Sequence, residues 1–156
     1  MKKLFLIAVL LLTYVFVSFG QEVKLNDMVF SITKELKMIL IDGSVAKGTI
    51  EIPEFLNYNN INYPVVEIGQ SAFKNNINIT EVRIPNSISV INNSAFENCI
   101  NLSFVILPKA IREIKDLAFS ECRNLKIISE IENPVGISDH SFYGKIINFY
   151  YPILYR

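Results

Sequence analysis

The sequence predicts a β-rich, right-handed solenoid of about three and a half 23-residue coils joined by short helical turns, and three observations carry that expectation. Phe73, Phe96, Phe119 and Phe142 stand 23 residues apart, and Ile68, Ile91, Ile114 and Ile137 keep the same step. A small residue precedes each phenylalanine, Ala72, Ala95, Ala118 or Ser141, as close packing of one coil on the next demands. An alternating apolar stretch then follows, with Val82 and Ile84 in one unit, Val105 and Leu107 in the next, and Ile128 falling in the Val82 column. Alternation at period two is the mark of a half-buried strand. A fixed step in this range implies stacked units, each able to bury its apolar face only against its neighbours.

Reading down the columns justifies each element. The phenylalanines are expected to form one inward stack, a ring per coil, at roughly the 4.7–4.9 Å spacing of adjacent strands. Ile79, Leu102 and Leu125 open the next apolar set. Asn78, Asn101 and Asn124 precede it, where their amides either bond turn backbone as a ladder or stand as plain surface turn residues. Pro85 and Pro108 close the strands, because proline cannot donate to a continuing ladder, and Ile131 stands where a third proline was due. Gly69 and Asn92 share a column in which positive φ is expected; Lys115 and Ser138 suit it less well.

These residues resemble a known family. The phrases VVEIGQSAFKNN, SVINNSAFENCINLSFVILP and REIKDLAFSECRNL are similar to the BspA-like leucine-rich repeats, with the consensus apolar-x-x-Ile-Gly-x-x-Ala-Phe-x-x-Cys-x-x-Leu-x-x-Ile-x-Ile-Pro. The likeness runs from Ile50 to about Pro152. Asn76 and Lys145 replace the cysteine in the first and last full coils. The resemblance implies a secreted or surface-displayed binding module that adheres to host or bacterial surface proteins or to extracellular matrix.

Flanking segments complete the plan. Lys2 and Lys3, the 14-residue apolar run Leu4–Val17 and the small residues around Gly20 read as a secretory signal peptide over 1–20; the run is short of the roughly 20 residues that span a bilayer. Residues 21–66 are expected to form a β-rich cap containing a hairpin. Strands are expected at Met28–Ile32 and Lys37–Ile41, and a nine-residue insertion after Pro53 carries Asn59-Asn60, a pair suited to a tight hairpin turn. Repeats fill 67–144, and the aromatic segment 145–156 is expected to close the last coil as a strand around Pro152.

Composition narrows the function. Without the first 20 residues the chain carries 13 basic and 15 acidic side chains, formally −2, scattered rather than striped, which argues against nucleic acid as partner. Cys99 and Cys122 are the only cysteines, one repeat apart. In a secreted chain an even count invites a bridge, but stacked in-register side chains strain it, so two free buried thiols are favoured. No metal site is expected from two cysteines and the single His140, since zinc wants four convergent ligands. His140 beside Asp139 and Ser141 is a run of neighbours, not a triad, and Glu51 with Glu54 or Glu130 with Glu132 are better taken as solvated strand ends. Neither catalysis nor a cofactor is indicated.

Binding is therefore expected on the sheet. With Ile79, Val82 and Ile84 inward, Thr80, Glu81 and Arg83 point out, followed by Ser103, Phe104 and Ile106, then Lys126, Ile127 and Ser129. Phe104, Ile106 and Ile127 would form an apolar centre rimmed by Glu81, Arg83 and Lys126, the layout of an interface core and rim. A protein partner is the first expectation; self-association through the same cluster is the alternative.

Overall fold

The computed structural model of the chain describes residues 20–129 and 136–143 and the strand at 149–150. The expected signal peptide lies outside the described residues except for Gly20, as do Ile131, Lys145 and everything beyond Tyr150. Among the described residues there are twelve strands and no helix. In chain order they are β1 (Glu22–Leu25), β2 (Met28–Ile32), β3 (Met38–Asp42), β4 (Gly48–Glu51), β5 (Phe55–Tyr58), β6 (Ile61–Ile68), β7 (Ile79–Arg83), β8 (Val90–Ile91), β9 (Phe104–Leu107), β10 (Glu113–Ile114), β11 (Lys126–Ser129) and β12 (Phe149–Tyr150).

The strands fall into two sheets on either side of one core. Sheet A has the order β1-β2-β3-β6-β8-β10, and sheet B the order β4-β7-β9-β11-β12. Sheet B is parallel throughout, as is sheet A from β3 onward, because each coil contributes one strand to each sheet and the next coil repeats it. Antiparallel pairing is confined to the upstream strands. There β1 and β2 form a hairpin that docks on β3, and β5 folds back on β6 around Asn59 and Asn60, whose φ angles of 50° and 60° are those of the expected tight turn.

The phenylalanine column is present as expected. Ring centroids of Phe73, Phe96, Phe119 and Phe142 are 5.0, 5.1 and 5.4 Å apart, with planes within 6° of parallel. The preceding small residues let the backbones close in: Phe73 N donates to Ala95 O, Phe96 N to Ala118 O and Phe119 N to Ser141 O, at 2.7–2.8 Å. Gly43 ends the stack at its upstream side. A Cβ there would lie 2.1 Å from the Phe73 ring, so only bare backbone can cover that face.

Two expectations about the turns are corrected. Positive φ does not occur at Gly69 and Asn92; it occurs at Ser71, Ser94 and Leu117, each at 58°, and again at Asn75, Asn98 and Glu121, at 59–62°. Gly69 is required for space instead, since a Cβ would meet the Leu40 carbonyl oxygen at 2.7 Å. The left-handed residues also explain why the expected short helical turns are absent from the described residues. Ala72, Lys74 and Asn76 each donate to the carbonyl three residues back, but a left-handed residue every four positions resets the chain direction and leaves a string of turns.

The cysteine column holds the coils together without a bridge. Cys99 and Cys122 are free and buried, and each thiol donates to the carbonyl of a phenylalanine one coil back, Phe73 and Phe96 respectively, at 3.0 Å. The adjacent Cys122 thiol, with burial, pushes the Cys99 thiol well above its ordinary range. Asn76 takes the same column in the first full coil and does more. Its amide donates to Gly43 O and Ala46 O, both at 2.9 Å, while its oxygen accepts from the backbone of Asn78 and Ile79. The outer asparagines also bridge coils, Asn101 donating to Ile77 O and Asn124 to Ile100 O.

Candidate binding face

Sheet B turns one face to the core and the other outward. Registered pairs set two outward rows across four strands, Thr49, Glu81, Phe104 and Lys126 in one and Glu51, Arg83, Ile106 and Ile128 in the other. Between the rows Ile50, Val82, Val105 and Ile127 face inward and are buried. Five of the six expected site residues, Glu81, Arg83, Phe104, Ile106 and Lys126, therefore share this face.

Ile127 does not. It is fully buried, in register with Val105, and Ser129 is buried opposite Leu107. The cause is a missing residue. Two residues separate the buried Ile79 from Val82 and the buried Leu102 from Val105, but Lys126 alone separates Leu125 from Ile127. A shift of one position in a strand moves every side chain to the opposite face. Ile128, expected inside, stands outside beside Ile106. The step is 23 again where Ile114 bridges Ile137. The shortened spacing was present in the sequence, but the doublet Ile127-Ile128 fits either register equally well.

The resulting surface is graded. Phe104, Ile106 and Ile128 are only half-buried although their strands have neighbours on both sides, so apolar area stays in contact with water. Toward β4 the face is charged: Arg83 Nη1 lies 3.2 Å from Glu51 Oε1 on the neighbouring strand, both mostly exposed, so the pair contributes little to stability. Lys126 is exposed at the opposite rim.

Elsewhere the titratable groups are dispersed. His140 and Asp139 are exposed, whereas Ser141 is buried with its hydroxyl on Ile114 O, so the three do not converge. Glu130 and Glu132 lie outside the described residues. Among the described residues no three of His, Cys, Asp and Glu group to hold a metal ion, and no helix is long and apolar enough to cross a membrane. The Glu97 carboxyl is perturbed: Lys74, 2.9 Å away, and then the Ser94 hydroxyl hold it below its ordinary value.

Known proteins share this architecture. A leucine-rich repeat protein from Bacteroides capillosus is 31% identical with a TM-score of 0.70, the match covering 76% of this chain and 88% of that one. A leucine-rich cell surface protein from Faecalibacterium prausnitzii is 26% identical with a TM-score of 0.67, over 75% of this chain and 32% of its own length. A leucine-rich repeat protein from Bacteroides ovatus is 28% identical with a TM-score of 0.61, over 68% of this chain and 29% of its own. The chain thus spans about a third of the length of the latter two. No curated protein matches it. The family model of the BspA type leucine rich repeat region matches residues 50–152 in six copies, and the chain belongs to that family.

Proposed function

We propose that the protein is a secreted or cell-surface module that binds another protein through the outer face of sheet B. Membership of the repeat family supports a protein-interaction module, and such repeats are typically non-catalytic. The observation that carries the proposal is the half-buried apolar group Phe104, Ile106 and Ile128 in the middle of the sheet, flanked by Glu81 and Arg83 on one side and Lys126 on the other. Apolar centre and charged rim together are the composition of a protein interface. Display outside the cell is supported by the apolar, lysine-led N-terminal sequence and by the cell-surface relative. A host or bacterial surface protein, or a matrix protein, is the partner class proposed, by analogy with the family.

The test is capture from host and bacterial surface extracts and from a panel of purified matrix proteins, with wild type and a Phe104→Asp/Ile106→Asp double variant as bait. Loss of a captured partner in the variant, at an unchanged thermal midpoint, supports the face. Equal capture by both proteins places binding elsewhere. Dimerisation of the wild type that the double variant abolishes, with no partner retained, would make the face a self-association surface.

A further inference from the structure

The two sheets end unevenly at the upstream side of the solenoid. Sheet A continues past β3 with β2 and β1, whereas sheet B stops at β4. Gly48 donates to Asn78 O and Ile52 to Arg83 O, so along β4 the even-numbered residues are bonded to β7. By the alternation of a parallel strand, Thr49 and Glu51 direct their N–H and C=O groups to the other side, where the described residues place no strand. Beside that edge is a notch of about 350 Å³ between β4 and the β1–β2 turn, lined at its floor by Met28, Ala46 and Ile50 and at its rim by Asp27, Lys47 and Glu51. Met28, Ala46 and Ile50 are buried, the rim residues exposed.

We propose that this edge is a second binding site, distinct from the outer face of sheet B, which takes one extended segment of a partner protein as an added strand beside β4. Main-chain bonds to Thr49 and Glu51 supply the affinity of such a pairing, and alternate side chains supply its selectivity. Residues of the incoming strand that point inward meet Met28 and Ile50 and are β-branched and apolar. Those that point outward lie across from Thr49 and Glu51. Arg83 already pairs with Glu51, and with Glu81 beside Thr49 the charges around the edge are Asp27, Glu51 and Glu81 against Lys47 and Arg83, a surplus of one carboxylate that favours lysine or arginine there. A second copy of this chain is the poorer occupant: an antiparallel β4–β4 pair that continued sheet B would bring the two β1–β2 hairpins onto the same side and toward each other, because sheet A extends two strands beyond β3 in each copy.

The probe is the acetylated, amidated heptapeptide Thr-Val-Lys-Val-Lys-Val-Thr, added to the protein while amide hydrogen exchange is followed residue by residue. Exchange at Thr49 and Glu51 is expected to slow by about tenfold or more, with Val82 and Val105 unaffected. N-methylation of the peptide at alternate residues provides the control that needs no protein variant. Methylation of one set of alternate amides should abolish protection and methylation of the other set should leave it intact. The Phe104→Asp/Ile106→Asp protein should bind the peptide as wild type does, which separates this site from the sheet face. Unchanged exchange at Thr49 and Glu51, equal effects of both methylation patterns, or protection of those amides by protein concentration alone would each overturn the proposal.

Discussion

The coil running from Phe96 to Leu107 and the coil running from Phe119 to Ser129 share almost every column, and yet they present different residues to solvent. Both carry the small residue, the stacked ring, the buried thiol and the leucine, and in both the thiol bonds the phenylalanine carbonyl of the coil before. They part after the leucine, where one spends two residues before its first buried strand residue, Val105, and the other spends one before Ile127. Composition and even column identity leave the outward face undecided; strand entry decides it. The contrast also shows what is common property of the coils, namely the ring stack, and what each coil sets for itself.

The shared property should be the costliest to lose. Phe119 is sandwiched between Phe96 and Phe142 with no room for solvent, so Phe119→Ala should reduce unfolding free energy by about 4 kcal/mol, from lost apolar burial plus the cavity left behind. Chemical denaturation measures it. A loss below that of an ordinary aliphatic core truncation would mean that the stack is loosely held.

Strand entry gives the sharper contrast. Ile127→Ala should cost about 3 kcal/mol because Ile127 is fully buried against the core, whereas Ile128→Ala, one residue on and chemically the same change, should cost less than about 1 kcal/mol. Equal costs, or a reversal, would return β11 to the register that a strict 23-residue step prescribes. For binding the order inverts: Ile128→Asp should weaken partner capture alongside Phe104→Asp.

The cysteine column separates the coils a third way. Asn76→Ala leaves Ala46 O and the Asn78 and Ile79 amides without the Asn76 partner and takes one of two donors from Gly43 O, and should cost about 2–3 kcal/mol. Cys99→Ala removes a small apolar group and a weak donor and should cost only about 1 kcal/mol. The same comparison explains why no cysteine is needed at 76. That position meets the turn at 43–47, where no phenylalanine carbonyl awaits a thiol and the Gly43 and Ala46 carbonyls converge on one stronger, two-proton donor.

Legibility followed the strength of each column. The ring stack, the small column, the free thiols and the Asn59-Asn60 hairpin were readable because the residue types are specific to the geometry they adopt. The outward cluster was readable at Phe104 and Ile106, which keep the 23-residue step from the outward Glu81 and Arg83, and unreadable at Ile127-Ile128, where the step shortens by one and both choices are apolar. Left-handed turn residues were hidden by mixed columns: Asn75 and Asn98 tolerate positive φ, but Leu117 and Glu121 give no hint of it. β1 is four residues with exposed Glu22 and Lys24, too short and too polar to announce itself. The open edge of β4 is a property of how two sheets end, which no local pattern encodes.

The smallest expected effect lies where the two coils differ in charge. Glu97 faces Lys74 on the coil before it, while the position one repeat later is the buried Ser120. Lys74 and Ser94 lower the Glu97 carboxyl below its ordinary 4.5. Because the folded state holds the anion more strongly than the unfolded chain does, the stabilisation is present above pH 4.5 and is lost as pH falls through the lowered folded-state value. Lys74 is substantially exposed, so solvent screening limits the contribution to a few tenths of a kcal/mol, roughly what exposed pairs give. Glu97→Gln should therefore be slightly less stable than wild type at pH 7, and the two stability curves should converge below pH 4.5. A difference that persists undiminished at low pH would mean that Glu97 acts through packing rather than charge, and that the coils are joined at this point by the same neutral contacts as at Ser120.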